Sequence, residues 1–202
     1  MINKILPKIF YNQPTLVLAK SLLGKLLVKE TDEGTVAGWI VETEAYIGPG
    51  DRAAHSFNNR RTKRTEVMFG EAGHFYIYQM HTHQLVNIVS GEMNHPEAIL
   101  IRAIEPYLGI DLMYMRRGKD KRLHELTNGP GKLAKAMNIT MDDYGKRCDF
   151  EPLFLAEGQN PHLIESGPRI GIENSGEAKE YPWRFWVKDN RFVSRLPKKS
   201  TK

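Results

Sequence analysis

The chain has 202 residues, of which 41% are hydrophobic and 26% charged, with 17 Gly and 11 Pro. That make-up belongs to a folded globular protein and excludes a disordered chain; at about 100–200 residues per domain it predicts one domain over residues 1–202. A lone cysteine, Cys148, excludes an internal disulfide framework. Two prolines precede any long apolar run and no segment approaches about 18 apolar residues, so neither a secretory signal nor a membrane span is expected. The expected setting is the cytosol, with association to the nucleoid in a bacterium.

Lys and Arg outnumber Asp and Glu 29 to 24, a formal net charge of +5. The excess is concentrated in three runs, RRTKR at 60–64, RRGKDKR at 116–122 and KKSTK at 198–202. Outside them the body holds 17 basic against 23 acidic residues. An acidic body with local cationic runs points to a polyanion, nucleic acid being the commonest. Each run taken singly reads equally well as a solvated loop.

In chain order, a short helix is predicted over 14–23, with Pro near its start and Gly24 as its stop. Strands follow over 25–31 and 35–46, joined by a DEG turn. A long polar, Gly-rich and basic loop fills 47–66. Strand-like runs return at 74–78, 85–90 and 98–104, and a helix at 110–116. A turn at NGPGK feeds a helix reaching 137. Short strands are expected around 153–155, 169–172, 184–187 and 191–194, and a flexible basic tail over 196–202. Strands grouped together with helices inserted irregularly favour an α+β fold: a curved, mostly antiparallel sheet, surrounding helices and a long basic loop.

Strict alternation over 35–46 sets Val36, Gly38, Ile40, Glu42, Glu44 and Tyr46 on one face. Two carboxylates thus end a strand that is otherwise apolar on both sides. In 98–104 the same rule puts Arg102 between Leu100 and Ile104. A buried guanidinium without a counter-charge is too costly to keep, so Arg102 requires a carboxylate, with Glu42 and Glu44 the natural candidates. This pattern fits a structural ion pair as well as a catalytic one. Asn87, among Val86, Ile88 and Val89, either satisfies backbone groups or faces a pocket where a buried amide would discriminate between ligands. Tyr46, Tyr76 and Tyr78 at strand spacing suit core packing or, beside a cationic loop, the stacking of a base. His81 and His83 in MHTH would project the same way from a strand, but two histidines are not a metal site. NGPGK lacks the spacing of a phosphate loop.

IVETEAYIGPGDRAAHS at 40–56, followed by RRTKRTEVMF, closely resembles the alkyladenine, or 3-methyladenine, DNA glycosylase family. ILIRAIEP at 99–106, NGPGKLAKAM at 128–137, GPRIGI at 167–172 and the closing PWRFWV…FVSR match it in the same order. The resemblance implies that Glu44 is the general base that activates water and that Arg102 lies near that water. It further implies that Tyr46 stacks on one side of a flipped base, that His55 and Tyr78 enclose the other, and that Asn87 sits at the pocket floor. Arg60, Thr62 and Arg64 fall where the family touches the DNA backbone, and Met68 near the same surface. The implied activity is a monofunctional hydrolase that excises damaged purines from duplex DNA as a monomer, with no cofactor and no metal. No lysine occupies a motif position for Schiff-base chemistry. The tyrosine-glycine wedge common in the family is missing after Tyr78, leaving Met80 or His81 to fill the gap in the duplex. A DNA-binding module without hydrolysis is the alternative reading.

Overall fold

The computed structural model describes residues 4–194; the KKSTK run and the expected tail lie outside them. Eight strands make one sheet: β1 (Leu26–Thr31), β2 (Gly34–Ile47), β3 (Phe75–Met80), β4 (His83–Ser90), β5 (Glu97–Leu108), β6 (Leu153–Ala156), β7 (Ile164–Gly167) and β8 (Arg184–Val187). Its main path runs β3-β4-β5-β2-β1-β6, every pairing is antiparallel, and the ends do not close. One edge of β2 is shared, taken by β1 along its first half and by β8 along Glu42–Glu44, with β7 outside β8. Among the described residues three α-helices pack round the sheet, α1 (Thr15–Ser21), α2 (Ile110–Arg117) and α3 (Pro130–Met137), so the fold is α+β.

Local chemistry explains these boundaries. Pro14 caps α1 at its N-terminus, and the chain turns at Gly24 with φ +80°. A Cβ there would lie 2.1 Å from the Gln159 carbonyl oxygen, so the approach requires glycine. Pro130 opens α3 and Asn138 closes it in the left-handed conformation. The largest apolar cluster joins Leu18, Leu22, Ile40, Ala45, Ile88, Ile99, Ile101, Ile104 and Leu133, seating α1 and α3 on one face of the sheet.

The strict alternation expected for β2 fails at one residue. Ile40 opposes Ile104 and Glu42 opposes Ala103, so Val41 is an extra residue; Thr43 then opposes Ile101, making Arg102 the compensating extra on β5. A bulge of this kind exchanges the two faces of a strand. Before it, Val36 and Ile40 face the large core; after it, Ala45 does, while the Thr43 hydroxyl donates to the Ala19 carbonyl. Glu42 and Glu44 therefore point away from the core that receives Ile40, contrary to a single face for all six residues. Likewise Arg102 does not share a face with Ile104.

The segments at 169–172 and 191–194 are not strands. Their backbone donors go to side chains instead of a ladder: Ile170 N–H to Glu44, Phe192 N–H to Asn190 and Ser194 N–H to Glu42. The strand next to β8 is β7, whose IESG sequence is largely exposed and carries no apolar alternation.

Candidate active site

The second half of β2 carries a buried cluster of four charges. Glu42 Oε1 accepts from Arg102 Nε at 3.0 Å, Arg184 Nε at 2.7 Å and the Ser194 hydroxyl at 2.9 Å, and Oε2 accepts from the Ser194 N–H at 2.6 Å. Three of its four donors converge on Oε1, and the fourth holds Oε2. Glu44 differs. Its Oε2 accepts from the Tyr46 hydroxyl at 2.8 Å and Arg102 Nη1 at 3.2 Å, while Oε1 accepts only the Ile170 N–H at 2.7 Å. Arg102 thus finds both expected partners. Burial pushes the Glu44 carboxyl above the usual carboxylate range, against the opposing pull of Arg102, the Ile170 N–H and the Tyr46 hydroxyl. Burial and the neighbouring Glu44 hold the Tyr46 hydroxyl well above the usual phenol range, so it remains a donor.

Beside this cluster opens a cavity of about 690 Å³, lined by Arg102 and Ser194 but not by the fully buried Glu42 and Glu44. Tyr46, His55, Tyr78, Asn87 and Arg102 all line it, together with Tyr76, Leu100 and Ile170. The His55 ring meets Tyr78 edge-on at 4.6 Å between centroids, and its Nδ1 lies 2.8 Å from the Tyr76 hydroxyl. Burial, with Arg64 and Arg60 nearby, lowers the His55 pKa to about 4, so the ring is neutral at neutral pH. Burial pushes the Tyr78 hydroxyl up to about 12. Asn87 donates from Nδ2 to the carbonyls of Tyr76 and Leu85, which fixes its amide on the cavity wall.

The cavity also draws in residues that the sequence reading left without a role. Gly129, Pro130 and Lys132 at the start of α3 line it, as does Arg117. Lys132 Nζ donates to Asn128 Oδ1 at 2.8 Å. Behind Tyr46, outside the lining, Arg169 and Asp51 form a fully buried ion pair. The resemblance brought the GPRIGI segment to notice, but nothing in its local pattern marks Arg169 as the partner of a residue 118 positions away.

The cationic runs separate in character. Arg60, Arg61 and Arg64 are exposed, although Arg61 is paired with Glu66, and Arg64 lies 6.0 Å from the Tyr78 ring centroid. Thr62 is half-buried and bonds to Thr65. Met68 is buried against Tyr76 and Ala98 and lines the cavity, so its side chain is not on the outer surface with the arginines. In the second run Arg116 serves the fold, bonded to Glu33, Thr31 and the Ala136 carbonyl. Arg122 is paired with Glu125. MHTH is a hairpin tip, not a strand: Met80 pairs with His83 and His81 has φ +54°, so His81 and His83 do not share a strand face. Met80 and His81 are both exposed there. Among the described residues no group of three or more His, Cys, Asp or Glu could hold a metal ion. None of the described helices is long and apolar enough to cross a membrane.

A carboxylate locked to a guanidinium beneath an aromatic cavity, with arginines exposed beside it, has the constitution of an enzyme that handles a planar group of a polyanion. The comparisons give the family. Residues 9–191 match the model described as methylpurine-DNA glycosylase (MPG), and the chain belongs to that family. It is 64% identical over 190 residues to a Bacillus licheniformis protein, covering 94% of this chain and 96% of the relative. It is 63% identical over 191 residues to one from Bacillus subtilis, with the same coverage. To one from Listeria monocytogenes it is 48% identical over 190 residues, covering 94% of this chain and 92% of the relative. All three relatives are provisionally named 3-methyladenine DNA glycosylase.

Proposed function

We propose that this protein, as a single catalytic domain and a monomer, flips damaged purines out of duplex DNA and hydrolyses their N-glycosidic bond, leaving an abasic site. The substrate class is 3-methyladenine, 7-methylguanine, hypoxanthine and ethenoadenine. The observation that carries this reading is the placement of Glu44: its three donors, Tyr46, Arg102 and the Ile170 N–H, all come from residues that line the cavity, and Oε1 accepts only the last of them. A water admitted there gives one proton to Glu44 and bonds C1′ as the C1′–N bond breaks; a cationic base such as 3-methyladenine then leaves neutral, whereas a neutral one such as hypoxanthine must take up a proton as it departs. The carboxylate also stabilises the oxocarbenium-like charge of the sugar. Its raised pKa makes it a stronger base than an exposed carboxylate.

The extruded base lies between Tyr46 on one side and His55 with Tyr78 on the other. A neutral His55 adds stacking surface without repelling a cationic purine. Arg60, Thr62 and Arg64 hold the DNA backbone, Met80 or His81 fills the vacated stack, and Asn87 tests the base edge.

The test is release of free base from duplexes that each carry one lesion, with chelator present. Glu44→Gln is expected to abolish release and retain DNA binding. Lys132 reaches the cavity but is engaged by Asn128, so borohydride should trap no covalent enzyme–DNA adduct. Binding without abasic sites in the unaltered enzyme would replace the hydrolase reading with that of a DNA-binding module.

A further inference from the structure

Arg169 does not line the cavity, yet it ties together three pieces of chain that do. Its Nη1 donates to Asp51 Oδ2 at 2.5 Å and the Ala45 carbonyl at 2.8 Å; Nη2 donates to Asp51 Oδ1 at 2.8 Å and the Ala178 carbonyl at 3.3 Å. Asp51 in turn accepts the N–H groups of Ile47 and Ala53, fixing the bend between β2 and the segment that carries His55. The Arg169 guanidinium lies 4.7 Å from the Tyr46 ring centroid and 5.1 Å from that of Trp183. The next residue, Ile170, puts its N–H on Glu44 Oε1 at 2.7 Å.

We propose that Arg169, locked to Asp51, is the positioning residue of this site: it presents the Ile170 N–H to Glu44 and backs the Tyr46 ring, without touching substrate. A bidentate guanidinium–carboxylate fork is a rigid joint, and both partners are fully buried, so the 168–171 backbone has little freedom to retreat from Glu44. The inference rests on Glu44 being the base. The groups that act on Glu44 are Glu42 and Tyr46 from its own strand, Arg102 from β5, Tyr78 from β3 and the Ile170 amide. Of these, the amide alone is placed by Arg169 through the backbone. Losing it removes a donor to the ionised carboxylate and weakens its ionised form.

The test is the pH profile of single-turnover base release by the full chain. Arg169→Ala should cost about 10- to 100-fold at neutral pH, the loss of one hydrogen bond to a charged group, and move the acid limb upward by about one pH unit or more. Much of the rate should return at higher pH, and Arg169→Lys should recover part of it. A uniform loss at every pH, or no loss, with the acid limb unmoved, overturns the proposal. Asp51→Asn provides a second variant that keeps the shape while removing the charge. In the unaltered enzyme, the Ile170 amide proton should resonate far downfield and follow the titration of Glu44; an amide that ignores it overturns the proposal even if both variants fail to fold. A fully active Glu44→Gln enzyme would bring down the base assignment and the proposal with it. Failure of the proposal alone looks different: Glu44→Gln is then inactive and the Arg169 acid limb stays in place.

Discussion

The two halves of β2 have the same backbone and nearly the same burial but opposite surroundings. From Val36 to Ile40 the strand meets hydrocarbon on both faces. Past Val41 one face still meets hydrocarbon, while the other meets two arginines, a tyrosine and a serine. One inserted residue makes the difference, because it lets Glu42 and Glu44 leave the face that Ile40 occupies. Within the charged half a second contrast appears. Glu42 holds four hydrogen bonds from Arg102, Arg184 and Ser194, whereas Glu44 holds three, all from residues that line the cavity. Identical side chains two residues apart thus meet different surroundings, and on the proposed function only the second acts on water.

Substitutions along the strand can break or sharpen this contrast. The widest separation is expected between Glu44→Gln and Glu42→Gln. The first should lower base release by about a thousandfold or more and cost less urea stability at pH 7 than the second, since Arg102 keeps Glu42 and only one guanidinium loses a partner. The second should cost about 3–5 kcal/mol in the same unfolding measurement, because Arg102 and Arg184 lose the charge they share. If both lose stability alike, the contrast fails. In the apolar half, Ile40→Ala should cost about 2–5 kcal/mol and leave the pH profile of the folded enzyme where it was. Next comes the wall above Glu44. The folded pKa of His55 lies at about 4, below its ordinary value of 6.5, so the unfolded chain binds more protons between those limits and stability falls as pH drops. On this account the protein is about 2 kcal/mol less stable at pH 5 than at pH 8, and His55→Gln should flatten that slope in denaturation curves. The smallest effect belongs to Tyr46→Phe, which keeps the ring and removes one donor from Glu44. Release should fall by about tenfold or less at neutral pH, with the acid limb moved upward.

Much of the site could be read from residue order because ions are conspicuous in apolar strands. An arginine among Leu100, Ile101 and Ala103 demands a carboxylate, and Glu42 and Glu44 both answer. The helices and the strand segments of the first two-thirds were similarly visible, since their apolar periodicity is strong, whereas their order in the sheet was not. The bulge was not visible. Val41 is an unremarkable strand residue, and only pairing with β5 reveals that it is supernumerary. Arg184, Ser194 and Arg169 escaped for another reason: each is joined to its partner across more than 100 residues of chain. Arg116 also escaped: it belongs to a run that reads as a solvated cationic patch, yet is bonded to Glu33 and Thr31, 83 and 85 positions away. β7 was missed because an exposed edge strand needs no apolar alternation.

The Ser194 N–H on Glu42 has a consequence for biosynthesis. A nascent chain that has emerged only through β5 already contains Glu42, Glu44, Tyr46, His55, Tyr78 and Arg102. It still lacks Arg184 and Ser194, which supply three of the four hydrogen bonds to Glu42. Non-local contacts of this span form late and cannot form at all before the last of those residues is made. The buried cluster is therefore assembled near the end of translation, and an interrupted chain that stops short of β8 carries Glu42, Glu44 and Arg102 without most of the donors that hold Glu42.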